Sequence, residues 1–90
     1  MDEQTGTGNQ SNSSMQLRAM TFGEKAVGVN FNPGGDQKVN FIKSVYAQII
    51  DSMHELRTPE HNEKNRLISI AITEAQAAQM WAVKAITWKD

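Results

Sequence analysis

Residues 36–87 read DQKVNFIKSVYAQIIDSMHELR (36–57), TPEHN (58–62) and EKNRLISIAITEAQAAQMWAVKAIT (63–87), and this stretch decides the fold. In its first part, Val39, Ile42, Val45, Tyr46, Ile49, Ile50, Met53 and Leu56 recur at spacings of three and four. That rhythm gathers them on one face of a helix from Asp36 to about Arg57. Pro59 ends it, because proline disfavours helical geometry in the residue before it. A loop over Pro59, Glu60, His61 and Asn62 leads into a second helix from about Glu63 to Thr87, which contains neither glycine nor proline. Two helices of about 22 and about 25 residues with so short a link form an antiparallel hairpin roughly 35 Å long at ~1.5 Å per residue.

The second helix carries more apolar surface than one partner can cover. Leu67, Ile70, Ala71, Ala77, Ala78, Trp81, Ala85 and Trp88 form one stripe; Ile68, Ile72, Ala75, Met80, Val83 and Ile86 form another. One neighbouring helix covers only one of them, so the remainder is expected to meet other subunits. The alanines permit close helix approach.

Upstream of the hairpin, Val27, Val29 and Phe31 alternate at period two, the pattern of an extended arm or short β-strand, which Gly23 and Gly28 weaken. The run ends in Asn32-Pro33-Gly34-Gly35, which delivers the chain to Asp36. Two readings of this junction stand side by side. It is a phosphate cradle, since helix N-termini expose N–H groups and glycines let a ligand approach the main chain; or it is a tight connection with Asp36 as the N-cap. Further upstream, MDEQTGTGNQSNSS contains almost nothing to bury, so residues 1–16 read as a disordered tail and 17–90 as the folded domain, organised from about Leu17. The fold class expected is mainly α: a two-helix hairpin preceded by an extended or short β arm and a disordered tail, assembled as a homo-oligomer.

Composition narrows the chemistry. Ninety residues make one small domain, and cores of this size supply little stability without disulfides, metal or oligomerisation. There is no cysteine, which removes disulfides, thiolate zinc sites and cysteine nucleophiles. The two histidines, His54 and His61, lack helix-ligand spacing, so no metal and no cofactor is expected. A net charge of −1 argues against DNA, RNA or a membrane surface as partner. The N-terminus lacks a signal-peptide apolar region, and no run approaches the ~20 apolar residues of a membrane span, so an intracellular, soluble protein is expected. No nucleophile elbow or acid/base pair stands out, and an enzyme is the weaker reading.

Groups suited to a nucleotide are present. Arg66, Ser69 and Thr73 form a polar line at helical spacing in the first turns of the second helix. A guanidinium forks onto phosphate oxygens and hydroxyls donate to phosphate or ribose, although a solvated face accounts for Arg66 equally well. Phe31, Tyr46, Trp81 and Trp88 are able to stack on bases; for the last three, core or subunit interface is the plainer reading. Lys38 and Lys43, after the Gly-Gly turn, are candidates to neutralise phosphate or are surface charge. The candidate ligand residues are thus Phe31, Asn32, Lys38, Lys43 and Tyr46 around the turn, and Arg66, Ser69 and Thr73 on the second helix; no catalytic residue is assigned.

FNPGG, followed by D-x-x-V-x-x-I-K-x-x-Y-A-x-x-I-D over Asp36–Asp51, resembles the helical-hairpin family of phage anti-defence proteins. So does R-x-x-S-I-A-I-T over Arg66–Thr73, followed by A-x-x-M-W-A-x-x-A-I over Ala77–Ile86. The family comprises the anti-CBASS and anti-Thoeris sponges, which sequester cyclic nucleotide immune signals without cleaving them. The resemblance spans about residues 21–88. Its departures are Leu67, where an acidic residue is usual, and Glu74-Ala75-Gln76 in place of a Glu-Glu pair before Met-Trp, which bear on ligand preference. The resemblance implies action in the host cytoplasm and a compact homo-hexamer with ligands held between subunits. Symmetry would bring Arg66 of three subunits onto one cyclic trinucleotide. A second, dinucleotide-sized pocket, between pairs of subunits, would use the arm, the FNPGG turn and the first helix; cyclic ADP-ribose-type signals are a further ligand class the family implies. The alternative is a structural or adaptor hairpin that binds protein partners and no small ligand.

Overall fold

The computed structural model describes residues 19–90; the expectations of a tail over 1–16 and an ordered start near Leu17 lie outside them. Three helices follow in order: α1 (Phe22–Val27), α2 (Gln37–His54) and α3 (Glu63–Thr87). The described residues contain no strand. The antiparallel pair α2–α3 is the expected hairpin, and α1 packs on the other flank of α2 while touching α3 only slightly.

The expected arm is corrected to a helix. Thr21 and Glu24 form a reciprocal cap: Thr21 Oγ1 accepts from the Glu24 amide at 3.0 Å, and Glu24 Oε1 accepts from the Thr21 amide at 2.9 Å. Gly28 closes α1 in the left-handed region at φ 63°. Its amide donates to Lys25 O, and the Val29 amide donates to Glu24 O, the paired bonds of a Schellman ending. Val27 is therefore the last helical residue and Val29 lies beyond the cap, so their period-two spacing reflects no strand.

The α1–α2 contact is close because Gly23 permits it. A Cβ at Gly23 would lie 2.1 Å from the Ala47 carbonyl oxygen. The Gly23 amide donates to Asp51 Oδ1 at 2.7 Å, which fastens the start of α1 to α2. Phe22 stacks on His54 with centroids 4.1 Å apart.

Asp36 caps α2, its carboxylate accepting from the Lys38 and Val39 amides. α2 ends at His54, three residues before the expected Arg57. Leu56 and Arg57 donate to Met53 O and His54 O, so tight i→i−3 bonds replace the last helical turn well before Pro59 acts. α3 has the expected bounds, with Asn62 Oδ1 accepting from the Asn65 amide as N-cap.

Val27, Ala47, Ile50, Ile68 and Ile72 form the core, with Ala26, Val29, Tyr46, Met53 and Ala75 packed against it. Ile50 is wholly buried. Each buried Val or Ile contributes roughly 1.5–3 kcal/mol. Of the two α3 stripes, the one containing Ile68 and Ile72 buries those two residues within the chain but leaves its Met80 63% exposed. Leu67, Ile70, Trp81 and Trp88 stay exposed, at 52%, 43%, 68% and 61%. No helix among the described residues is long and apolar enough to cross a membrane.

Candidate functional site

Two separate concavities gather the polar and aromatic candidates. The first is a cleft of about 420 Å³ between the NPGG turn, the start of α2 and the C-terminal end of α3. Its apolar wall is Val39, Val83 and Ile86; Phe31 and Trp88 stand at it as exposed rings. The turn that forms its lip is shaped by Asn32. Asn32 Nδ2 donates to Asp36 O at 2.9 Å and to Asn40 Oδ1 at 2.8 Å, and Asn32 Oδ1 accepts from the Asp36 amide. The Gly35 amide donates back to Asn32 O. With the Asp36 carboxylate already on the first amides of α2, the junction is a tight, internally satisfied connection, the plainer of the two readings.

Lys43 is the unexpected member of this cleft. It is buried, at 4% exposure. Its ammonium donates to Gly28 O at 3.0 Å and to Phe31 O, and lies 5.5 Å from the Phe31 ring centroid. The side chain expected as a phosphate contact is engaged in holding the Gly28–Phe31 turn. It still lines the cleft, so its charge sits beneath any ligand there. Lysines are almost never buried without such partners. Lys38 is exposed and Tyr46 packs on the core; neither lines the cleft. Sequence reasoning left Lys89 unconsidered and read Trp88 as a stripe residue for core or subunit interface, or a stacking ring, without linking it to the turn, although both line this cleft. Trp88 and Phe31 are 57 positions apart, and no local spacing links them.

The second concavity is a shallow groove of about 270 Å³ on the outer face of α3, lined by Arg66, Ser69, Ile70, Thr73 and Glu74. Here the three residues expected to act together do share one surface. Arg66 is not idle: Nε and Nη2 donate to the two Glu63 carboxylate oxygens at 2.8 and 2.6 Å. This hydrogen bond holds the Glu63 carboxyl below its usual 4.5 and raises the Arg66 guanidinium. The groove runs into a recess of about 540 Å³ at the hairpin loop, shared by Arg57, His61, Glu63, Arg66 and Ser69. Arg57, absent from the expected set, donates from Nη1 to Ser69 Oγ at 3.1 Å.

The described residues hold no group of three or more His, Asp or Glu side chains placed to bind a metal ion. The cleft offers two aromatic rings, a main-chain turn and the Lys43 ammonium, while the α3 groove offers a guanidinium and two hydroxyls beside the Glu74 carboxylate; the cations and hydroxyls are donors suited to an anion.

Among known proteins, no curated protein and no solved structure matches the chain. The profile of the family described as "Acb2/Tad1, hairpin domain" matches residues 24–87, which takes in all of α2 and α3 and most of α1. The chain belongs to this family, the hairpin proteins that serve as anti-CBASS and anti-Thoeris sponges.

Proposed function

We propose that this chain is a phage anti-defence protein that binds cyclic di- and trinucleotide immune signals, and cyclic ADP-ribose-type signals besides, and sequesters them intact in the host cytoplasm. It works as a homo-oligomer, a hexamer, with ligand held between subunits. The observation that carries the reading is the convergence of Arg66, Ser69 and Thr73 on one exposed groove of the family's hairpin. The groove is too open to enclose a ligand alone, and a symmetry-related copy would supply the other walls. The cleft at Phe31, Asn32, Lys43 and Trp88 is the second, dinucleotide-sized site. The role proposed for both sites is storage of the ligand without cleavage, in keeping with the family's sponge function.

The test is a thermal-shift panel of cyclic di- and trinucleotides with linear controls, followed by chromatography of ligand released on heating. Binding restricted to the native state raises stability by about 2.7 kcal/mol at a hundredfold excess over Kd. Intact ligand after release is the expected result; a linearised product formed catalytically would make the protein a nuclease. The exposed Leu67, Ile70, Trp81 and Trp88 favour one second reading, an adaptor hairpin for a protein partner. A panel in which no signal shifts the melting temperature would select it.

A further inference from the structure

Arg57 lies in the connection between α2 and α3, outside both helices, yet it is firmly placed. Asn65, in the first turns of α3, ties this connection down: its Oδ1 accepts from the Thr58 amide at 3.0 Å, and its Nδ2 donates to Thr58 O at 2.8 Å and to Glu60 O at 2.6 Å. Asn62 Nδ2 adds a bond to Thr58 Oγ1. The anchored loop sets the Arg57 guanidinium between two acceptors, neither of them a carboxylate. Nε donates to His54 Nδ1 at 3.3 Å and Nη1 to Ser69 Oγ at 3.1 Å.

The two arginines of this recess differ in their charge partners. Arg66 has its fork on Glu63, so much of its charge is already answered. Among the described residues, Arg57 has no carboxylate within ion-pair distance. A guanidinium has five N–H donors, and two of those of Arg57 are engaged. Ser69, accepting from Arg57, keeps its hydroxyl proton to donate elsewhere. An anion entering beside Ser69 would meet an unanswered guanidinium and a free hydroxyl donor, and a charged acceptor makes a stronger hydrogen bond to Arg57 than the Ser69 hydroxyl does.

We propose that Arg57 is a second anion-binding guanidinium of the Arg66–Ser69–Thr73 groove, taking a ligand phosphate beside Ser69. The proposal rests on the groove being the ligand site, and it extends that site across the hairpin loop from α3 to the end of α2. It also fits the ligand class: a cyclic trinucleotide carries several phosphates, and one half-answered arginine per subunit is a thin counter-charge.

The experiment follows the Arg57 and Arg66 Nε–H signals of the 15N-labelled full chain by NMR during titration with inorganic pyrophosphate, then with cyclic tri-adenylate. Arg57→Gln and Arg57→Lys are titrated alongside by calorimetry at two salt concentrations. The Arg57 signal is expected to shift saturably with both probes. Arg57→Gln, which keeps a donor for Ser69 but no charge, should bind both about tenfold more weakly and with a smaller salt dependence; Arg57→Lys should lose less. A merely structural Arg57 would leave the salt dependence unchanged. An unmoved Arg57 signal, or wild-type affinity and salt dependence in Arg57→Gln, overturns the proposal without any appeal to fold. If pyrophosphate binds through Arg57 and no cyclic nucleotide binds, the anion site stands and the cyclic-nucleotide reading falls. If the wild-type chain binds neither, both fall.

Discussion

At Arg66 a carboxylate already occupies the guanidinium edge that a phosphate would use. Glu63 sits one turn nearer the N-terminus, and the two Arg66–Glu63 bonds compete with any ligand for the same donors. Glu63→Gln should therefore tighten binding of a cyclic trinucleotide, by about two- to fivefold, the range of an exposed ion pair. Arg66→Ala should weaken it by about tenfold or more while leaving the cleft's affinity for a cyclic dinucleotide nearly unchanged; calorimetry of the two ligands reads both effects. The pair also sets a pH dependence. Arg66 lowers the Glu63 carboxyl below 4.5 in the folded chain, so the pair's stabilisation is complete above 4.5 and is lost as pH falls through the lowered value. Acid melts of wild-type and Arg66→Ala should differ at pH 6 and converge at the acid end. At Gly23 sterics decide the outcome instead. An alanine methyl would collide with the Ala47 carbonyl, so Gly23→Ala should cost about 1–3 kcal/mol or more in chemical denaturation.

The elements differ in how much of them their own sequence reveals. α2 and α3 are long, their apolar residues return every three or four positions, and their bounds follow within three residues. α1 has only six residues, too few for a period to emerge, and its evidence lies in Thr21-x-x-Glu24 and Gly28 instead. The alternation Val27-x-Val29-x-Phe31 suits an extended arm or a short strand, but the helix is decided by its caps and by contact with α2. Thr21→Ala should release about 1 kcal/mol and expose the α1 amides to hydrogen exchange before those of α3. The site divides in the same way. Arg66, Ser69 and Thr73 share one helix, so helical spacing alone unites them. The cleft joins residues near 31 to residues near 88, and Arg57 reaches Ser69 across a loop, contacts that exist only after folding. Lys43 was legible as a cation near the turn; that its charge is spent on two carbonyls was not, because burial is a property of α1 and α2 together.

For the whole molecule, buried and exposed apolar residues of α3 have different roles, and each kind gives a variant. Ile72 is 5% exposed in the core, so Ile72→Glu buries an unpaired carboxylate and should prevent folding. Trp81 is 68% exposed on the uncovered stripe, so Trp81→Glu should leave the helical circular dichroism intact and change the mass measured by light scattering. A wild-type protein that scatters as a 10.0 kDa monomer at micromolar concentration would end the oligomer reading.

The Lys43 ammonium, enclosed and donating two of its three protons to Gly28 O and Phe31 O, has a consequence for chemical reactivity. In acylation and reductive methylation the unprotonated lysine amine attacks the reagent's carbonyl carbon, and the Lys43 amine is reachable only when the turn swings open. Lys25, Lys38, Lys64, Lys84 and Lys89 all stand exposed and should be modified at the outset, leaving Lys43 as a late, slow mass increment. The rate of that last increment is a clock for the opening of the turn. A ligand seated in the cleft should slow it.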